Sequence, residues 1–195
     1  LYADMEKAYN EVAHQLKLSC KGCPDNCCDS FFLHFTYLEW AYLWHGLEKI
    51  PAEKQKEILT RAENYLRECE KNNGQENGPQ VMCPLNEEGR CILYPYRLMV
   101  CRTHGIPASM TRPDGRTLSF PGCFVCQQIV EKKYPDQNQV PVMERTSLLR
   151  RLVLLEQEFL GGRRHVLPKV RMTIADMLVA GPPSIPHCSD GCCAD

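Results

Sequence analysis

Apolar residues recur at three- and four-residue steps from Tyr2 to Leu18, at Met5, Ala8, Tyr9, Val12, Ala13 and Leu16. Polar and charged residues fill the gaps, the pattern of a helix with one buried face. Trp40, Leu43, Trp44 and Leu47 repeat that period after Thr36 and Glu39, whose spacing predicts a capping box. Pro51 at a first-turn position opens a third helix, Ala52 to Lys71, with Ile58, Leu59, Ala62, Tyr65, Leu66 and Cys69 on its apolar face. A last long helix is predicted from about Pro141 to Leu160, with Leu148, Leu149, Leu152, Leu155, Phe159 and Leu160 inward and Gly161-Gly162 as its stop. Thr173 with Asp176 starts a short helix to Val179.

The stretches between these helices read differently. Phe31 to Phe35 is a short β-like run, and Asn72 to Pro79 is a loop of helix-breaking residues. Residues 83–126 lack a helical period; Gly89 to Tyr94 suggests a short strand, and residues 108–120 suggest a hairpin turning at Pro113-Asp-Gly115. The expected fold is mainly α: a helical domain with an irregular cysteine-rich metal-binding lobe and at most a short β-hairpin. All 195 residues are expected in a single domain, with the metal-binding region at 20–126, C-terminal helices at 141–180 and a cysteine-containing tail at 181–195.

Composition changes this picture in one respect. Hydrophobic and charged fractions of 44% and 24% are ordinary for a globular chain, but thirteen cysteines are not. Disulfide scaffolds are usually shorter than about 100 residues and carry an even number of cysteines. The first residues, Leu1-Tyr-Ala-Asp-Met-Glu-Lys, carry charges where a secretion leader would be apolar. These features lead to the expectation of a reduced, cytoplasmic protein with metal-bound thiols. The formal net charge of −1 gives no broad attraction to nucleic acid, and no apolar run approaches a membrane span.

Four of the thiols fall in nine residues, Cys20-Lys-Gly-Cys23-Pro-Asp-Asn-Cys27-Cys28. A C-x2-C pair on a tight turn lets two sulfurs reach one ion, and Gly22 and Pro24 suit such a turn. Cys27 and Cys28 are adjacent, so in extended backbone they would face opposite ways and serve different ions or different corners of one cluster. The competing reading is a redox-active pair or a set of buried thiols. Five more cysteines follow at Cys83, Cys91, Cys101, Cys123 and Cys126, across two predicted helices that would bring both groups together. Such four-cysteine sets suit zinc or an iron–sulfur cluster. Eight thiolates around two divalent ions would leave a surplus of about four negative charges, which Arg90, Arg97, Arg102, Arg112 and Arg116 are placed along the chain to offset. His104 and His187 stand near cysteines but are read as bystanders, because sulfur is in ample supply.

The order of these motifs resembles the CxxCxxCC family, whose members are described as zinc- or iron-chelating domains. The resemblance covers residues 20–126. It rests on Cys20-x2-Cys23-x3-Cys27-Cys28, Cys83-Pro-Leu, Gly89-Arg-Cys91-Ile-Leu-Tyr94, Arg97-x3-Cys101-Arg102 and a late cysteine. It implies an eight-cysteine metal site at Cys20, Cys23, Cys27, Cys28, Cys83, Cys91 and Cys101, with either Cys123 or Cys126 as the eighth. The chain departs from the family in three places: one extra residue between Cys23 and Cys27, Leu98 where a proline commonly follows the arginine, and the doubled late cysteine. The tail goes beyond the resemblance. Cys188-x3-Cys192-Cys193 repeats the spacing of Cys23-x3-Cys27-Cys28, so these three thiols either complete a site or hold an additional one, or belong to a flexible, metal-scavenging or disordered end.

Metal binding through this multi-cysteine set is therefore the expected function, with metal ions as partners. The alternative is an iron–sulfur electron carrier with a protein redox partner, or the subunit of a modifying enzyme. Some longer relatives are described as flagellin lysine methylases, but G-x-G-x-x-G, which would hold an adenosyl cofactor, does not occur here. The small basic patch of Arg163, Arg164, His165, Lys169 and Arg171 reads as a solvated face.

Overall fold

The structure, a computed structural model, describes residues 1–20, 27–72, 79–136 and 138–185, with Cys27 described by its backbone alone. The first periodic stretch forms α1 (Tyr2–Leu16), which buries Met5, Val12, Ala13 and Leu16 and ends where Lys17 turns left-handed at φ 55°. α2 (Tyr37–Leu47) starts at Thr36, whose hydroxyl oxygen accepts the Glu39 amide at 3.2 Å. The expected capping box is half formed, because the Glu39 carboxylate does not return to the Thr36 amide. One of its oxygens accepts the Thr36 hydroxyl at 2.8 Å, and the other accepts the Met99 amide at 2.8 Å. α3 (Ala52–Lys71) follows Pro51 and buries Ile58, Ala62 and Tyr65.

The stretch between α3 and the last long helix is more regular than its sequence suggested. β1 (Asn86–Glu87) and β2 (Arg90–Cys91) form a minimal antiparallel ladder. Two helices lie in what was expected to be irregular chain, α4 (Met99–Thr103) and α5 (Phe124–Lys133). β3 (Ala108–Thr111) and β4 (Thr117–Phe120) form the expected hairpin, closed by the Gly115 amide donating to the Arg112 carbonyl at 2.9 Å. β5 (Met143–Glu144) adds to β3 in parallel, giving the order β4-β3-β5.

The last long helix, α6, spans Thr146–Phe159, starting later than expected because Met143 and Glu144 are taken by the sheet. Leu148, Leu152 and Leu160 are buried as predicted, but Leu155 and Phe159 are each 39% exposed. The inward place belongs to Glu156, 4% exposed, whose two carboxylate oxygens accept the Tyr37 and Leu38 amides at 2.9 and 2.8 Å. It satisfies the first unpaired donors of α2 and complements that helix's positive end. α7 (Ile174–Val179) has the full capping box of Thr173 with Asp176. The indoles of Trp40 and Trp44 tie its far end to α2, both donating to the Met177 carbonyl, at 3.1 and 2.9 Å.

Two apolar clusters result. One joins α2, α3 and α7 with Leu85, Leu93 and Leu98; the other joins α1 and α6 with Met99, Ile106, Ala108, Cys126 and Met143. The fold is thus mainly helical with small sheets. No described helix is long and apolar enough to cross a membrane.

Candidate metal centre

Between the two clusters lies a cavity of about 1000 Å³ whose walls draw on both. Cys20, Cys28, Cys83, Cys91, Cys101 and Cys123 all line it, although the chain from Cys20 to Cys123 passes through α2 and α3 on the way. Cys69 and Cys126, the other two described cysteines, do not line it. Cys23, Cys188, Cys192 and Cys193, the Cys27 thiol and His187 lie outside the described residues, so the expected repeat in the tail does too.

Local geometry explains how the thiols reach one place. Cys27 to Asp29 is a tight 3₁₀ turn rather than the extended backbone expected at Cys27 and Cys28. The Cys28 carbonyl accepts the Cys83 amide at 2.8 Å, joining the first cysteine group to the second. Cys83 and Cys91 flank the β1–β2 turn, where Glu88 and Gly89 both take positive φ. Each of these two sulfurs accepts a hydrogen bond from the backbone two residues on, from Leu85 and Leu93 respectively. Amides aimed at sulfur favour the thiolate and fix its direction. Cys101 rides on α4, whose first amide, from Met99, is held by buried Glu39. Burial holds the Glu39 carboxyl above the usual carboxylate range, with the Glu156 carboxylate adding to the shift.

The last corner depends on glycine. Gly122 sits at φ 87°, and a Cβ there would stand 2.9 Å from the Gly105 carbonyl oxygen and 3.0 Å from the Cys126 sulfur. Only glycine allows both the left-handed turn and this approach. Cys123 follows, its amide donating to the Gly105 carbonyl at 3.2 Å; it stands at the N-cap position of α5 and lines the cavity. Cys126 is one turn further along α5 and packs among the α1 and α6 residues at 0% exposure. Cys20 is exposed, and its sulfur lies 3.9 Å from the Tyr9 hydroxyl.

Electrostatics tie Cys28, Cys83, Cys91 and Cys101 together. Burial pushes the Cys83 thiol well up, with smaller upward contributions from Cys101, Cys91 and Cys28. Burial likewise raises Cys101 to about 12, with Cys91 and Cys28 adding to it. Cys91 is raised to about 11, chiefly by burial and further by Cys28. Arg97 acts in the opposite sense on both Cys91 and Cys101. Its guanidinium stacks 3.6 Å over the Tyr94 ring, and its Nε donates to the Tyr94 carbonyl at 3.2 Å. Arg102 buttresses this wall, donating from Nε to the Arg97 carbonyl at 2.7 Å and lying 4.5 Å over the Tyr2 ring. Arg112 and Arg116 belong to the hairpin and do not line the cavity.

These thiols share a cavity and each other's fields without closing on a point. Among the described residues, no three of histidine, cysteine, aspartate and glutamate stand close enough to hold one ion as placed. The donor set still suits a thiophilic metal: thiols that burial keeps neutral become thiolates when a cation supplies the compensating charge. The chain matches no protein-family model, no curated protein and no solved structure.

Sequence reasoning missed one residue of this site. His34 lines the cavity at 1% exposure, held by a two-way backbone bridge to Met172. Its isolated position in Phe31 to Phe35 gave no signal of its own, since the partner strand residue lies far along the chain. His104 also lines the cavity, with its ring 4.9 Å from that of Phe32.

Proposed function

We propose that this chain is a metal-binding protein whose cysteines hold zinc or an iron–sulfur cluster in the cavity between the two apolar clusters. The observation that carries the reading is that six cysteines, from two distant stretches of chain, line one cavity while the two other described cysteines are turned elsewhere. Within the set, Cys28, Cys83, Cys91 and Cys101 form the group whose charges act on one another. Cys20 and Cys123 supply the outer edge, and the position of Cys126 in the core favours Cys123 as the late ligand. The other two of the eight cysteines that the motif resemblance implies, Cys23 and the Cys27 thiol, lie outside the described residues.

Each part of the chain has a role in this account. The Leu85 and Leu93 amides orient sulfur, Arg97 offsets thiolate charge, and Glu39 fixes the helix that presents Cys101. A bound metal would supply cross-linking of the two cysteine groups, and a cluster would add electron storage. The electron-carrier reading draws on the burial of Cys83 and Cys101 and on the amide–sulfur bonds, features that tune a cluster's potential.

Anaerobic purification, followed by a visible spectrum and elemental analysis on one sample, tests the proposal. Brown protein with iron and acid-labile sulfide selects the cluster; colourless protein with about two zinc ions per chain selects closed four-sulfur sites. Protein that binds neither metal after reduction and reconstitution overturns the reading.

A further inference from the structure

His34 lines the cavity at 1% exposure, and neither of its ring nitrogens has a hydrogen-bond partner among the described residues. The backbone fixes it there: its amide donates to the Met172 carbonyl at 2.8 Å, and its carbonyl accepts the Met172 amide at 3.1 Å. Thr173, the next residue, opens α7 and lines the same cavity. A buried imidazole with two unpaired nitrogens is unfavourable unless something absent from the chain engages it. A neutral imidazole keeps one ring-nitrogen lone pair for a ligand bond.

We propose that His34 supplies a nitrogen ligand to a metal ion held with the cavity-lining cysteines, so that the centre takes mixed sulfur and nitrogen donors. This rests on the metal-binding reading and goes beyond its all-cysteine ligand set. Charge favours the mixed set. Six cysteines line this cavity, and thiolates gathered in one place repel one another. Every further thiolate raises that repulsion, whereas a neutral imidazole adds a donor without adding negative charge. The metal class is a borderline divalent ion such as zinc or ferrous iron, which accepts thiolate and imidazole together. His104, by contrast, has a ring partner in Phe32 and is less deeply buried.

The test uses the full reduced chain, labelled with ¹⁵N at its six histidines, loaded with ¹¹³Cd(II) and observed by NMR. The expected result is one ¹⁵N–¹¹³Cd coupling, assigned to a His34 ring nitrogen, with the ¹¹³Cd resonance displaced from an all-sulfur position. His34→Gln should abolish the coupling and move the resonance toward that of sulfur alone. The coupling is read on the unaltered chain, so the test stands even where the variant fails to fold. Cadmium bound with no imidazole coupled, or with a different histidine coupled, overturns the His34 assignment and leaves metal binding intact. No cadmium uptake overturns both.

Discussion

Cys101 and Cys126 are both helical cysteines, and burial raises both thiols, to about 12 and about 11. Their surroundings differ. Cys101 keeps part of its surface on the cavity, where Cys28, Cys83 and Cys91 are its electrostatic neighbours. Cys126 is sealed among Met5, Leu16, Ile106 and Met143, and Cys123 is the thiol that acts on it. A raised thiol pKa therefore does not mark a ligand here. The distinguishing features are a shared cavity and other sulfurs facing the same space.

The contrast is broken most sharply by paired substitutions. Cys101→Ser should reduce bound metal at least about tenfold and remove the stability that metal confers. Cys126→Ala should keep full metal content and cost about 1–2 kcal/mol of packing, read by denaturant unfolding of the metal-loaded protein. Equal metal loss in both would erase the distinction.

The pH dependence comes next in size. In the metal-free protein, Cys91 and Cys101 hold their protons to higher pH than they would unfolded. The native state then binds more protons than the unfolded chain between about pH 9 and pH 12, so stability falls as pH rises through that window. The combined loss is on the order of a few kcal/mol. Over pH 6 to 9, metal affinity should rise with pH, because each thiol must release a proton to bind. Metal titrations monitored with a pH indicator check the sign; affinity that falls or stays level over that range would contradict it.

Glu39→Ala leaves the Met99 amide at the start of α4 without its acceptor. A cost of about 1–3 kcal/mol is expected, with metal affinity lowered through displacement of Cys101. The smallest effect belongs to Arg97→Gln, which removes the cation opposing the buried thiols. It should weaken metal binding a few-fold, while the same change at Arg112 in the hairpin should leave binding unchanged.

The long helices were legible because α1 and α3 carry an apolar period over several turns, and period is what packing against one neighbour requires. α4 is five residues long and α5 has apolar residues on more than one face, so neither offers such a signal. Leu155 and Phe159 were misread for a related reason. α6 carries more apolar positions than its neighbours cover, and its buried place goes to Glu156, which serves the amides of α2. At the site, cysteine spacing pointed to the thiols but could not choose between Cys123 and Cys126. Three residues apart at a helix start, they diverge only once Gly122 and Gly105 fix where α5 begins. His34 was invisible to spacing, since its place beside the cavity depends on pairing with Met172.

The most direct measurement is metal content per chain, made side by side on anaerobically reconstituted wild type, Cys101→Ser and Cys126→Ala. The account predicts full loading in wild type and Cys126→Ala and near-complete loss in Cys101→Ser. Full loading of Cys101→Ser, or an empty wild type, would contradict it.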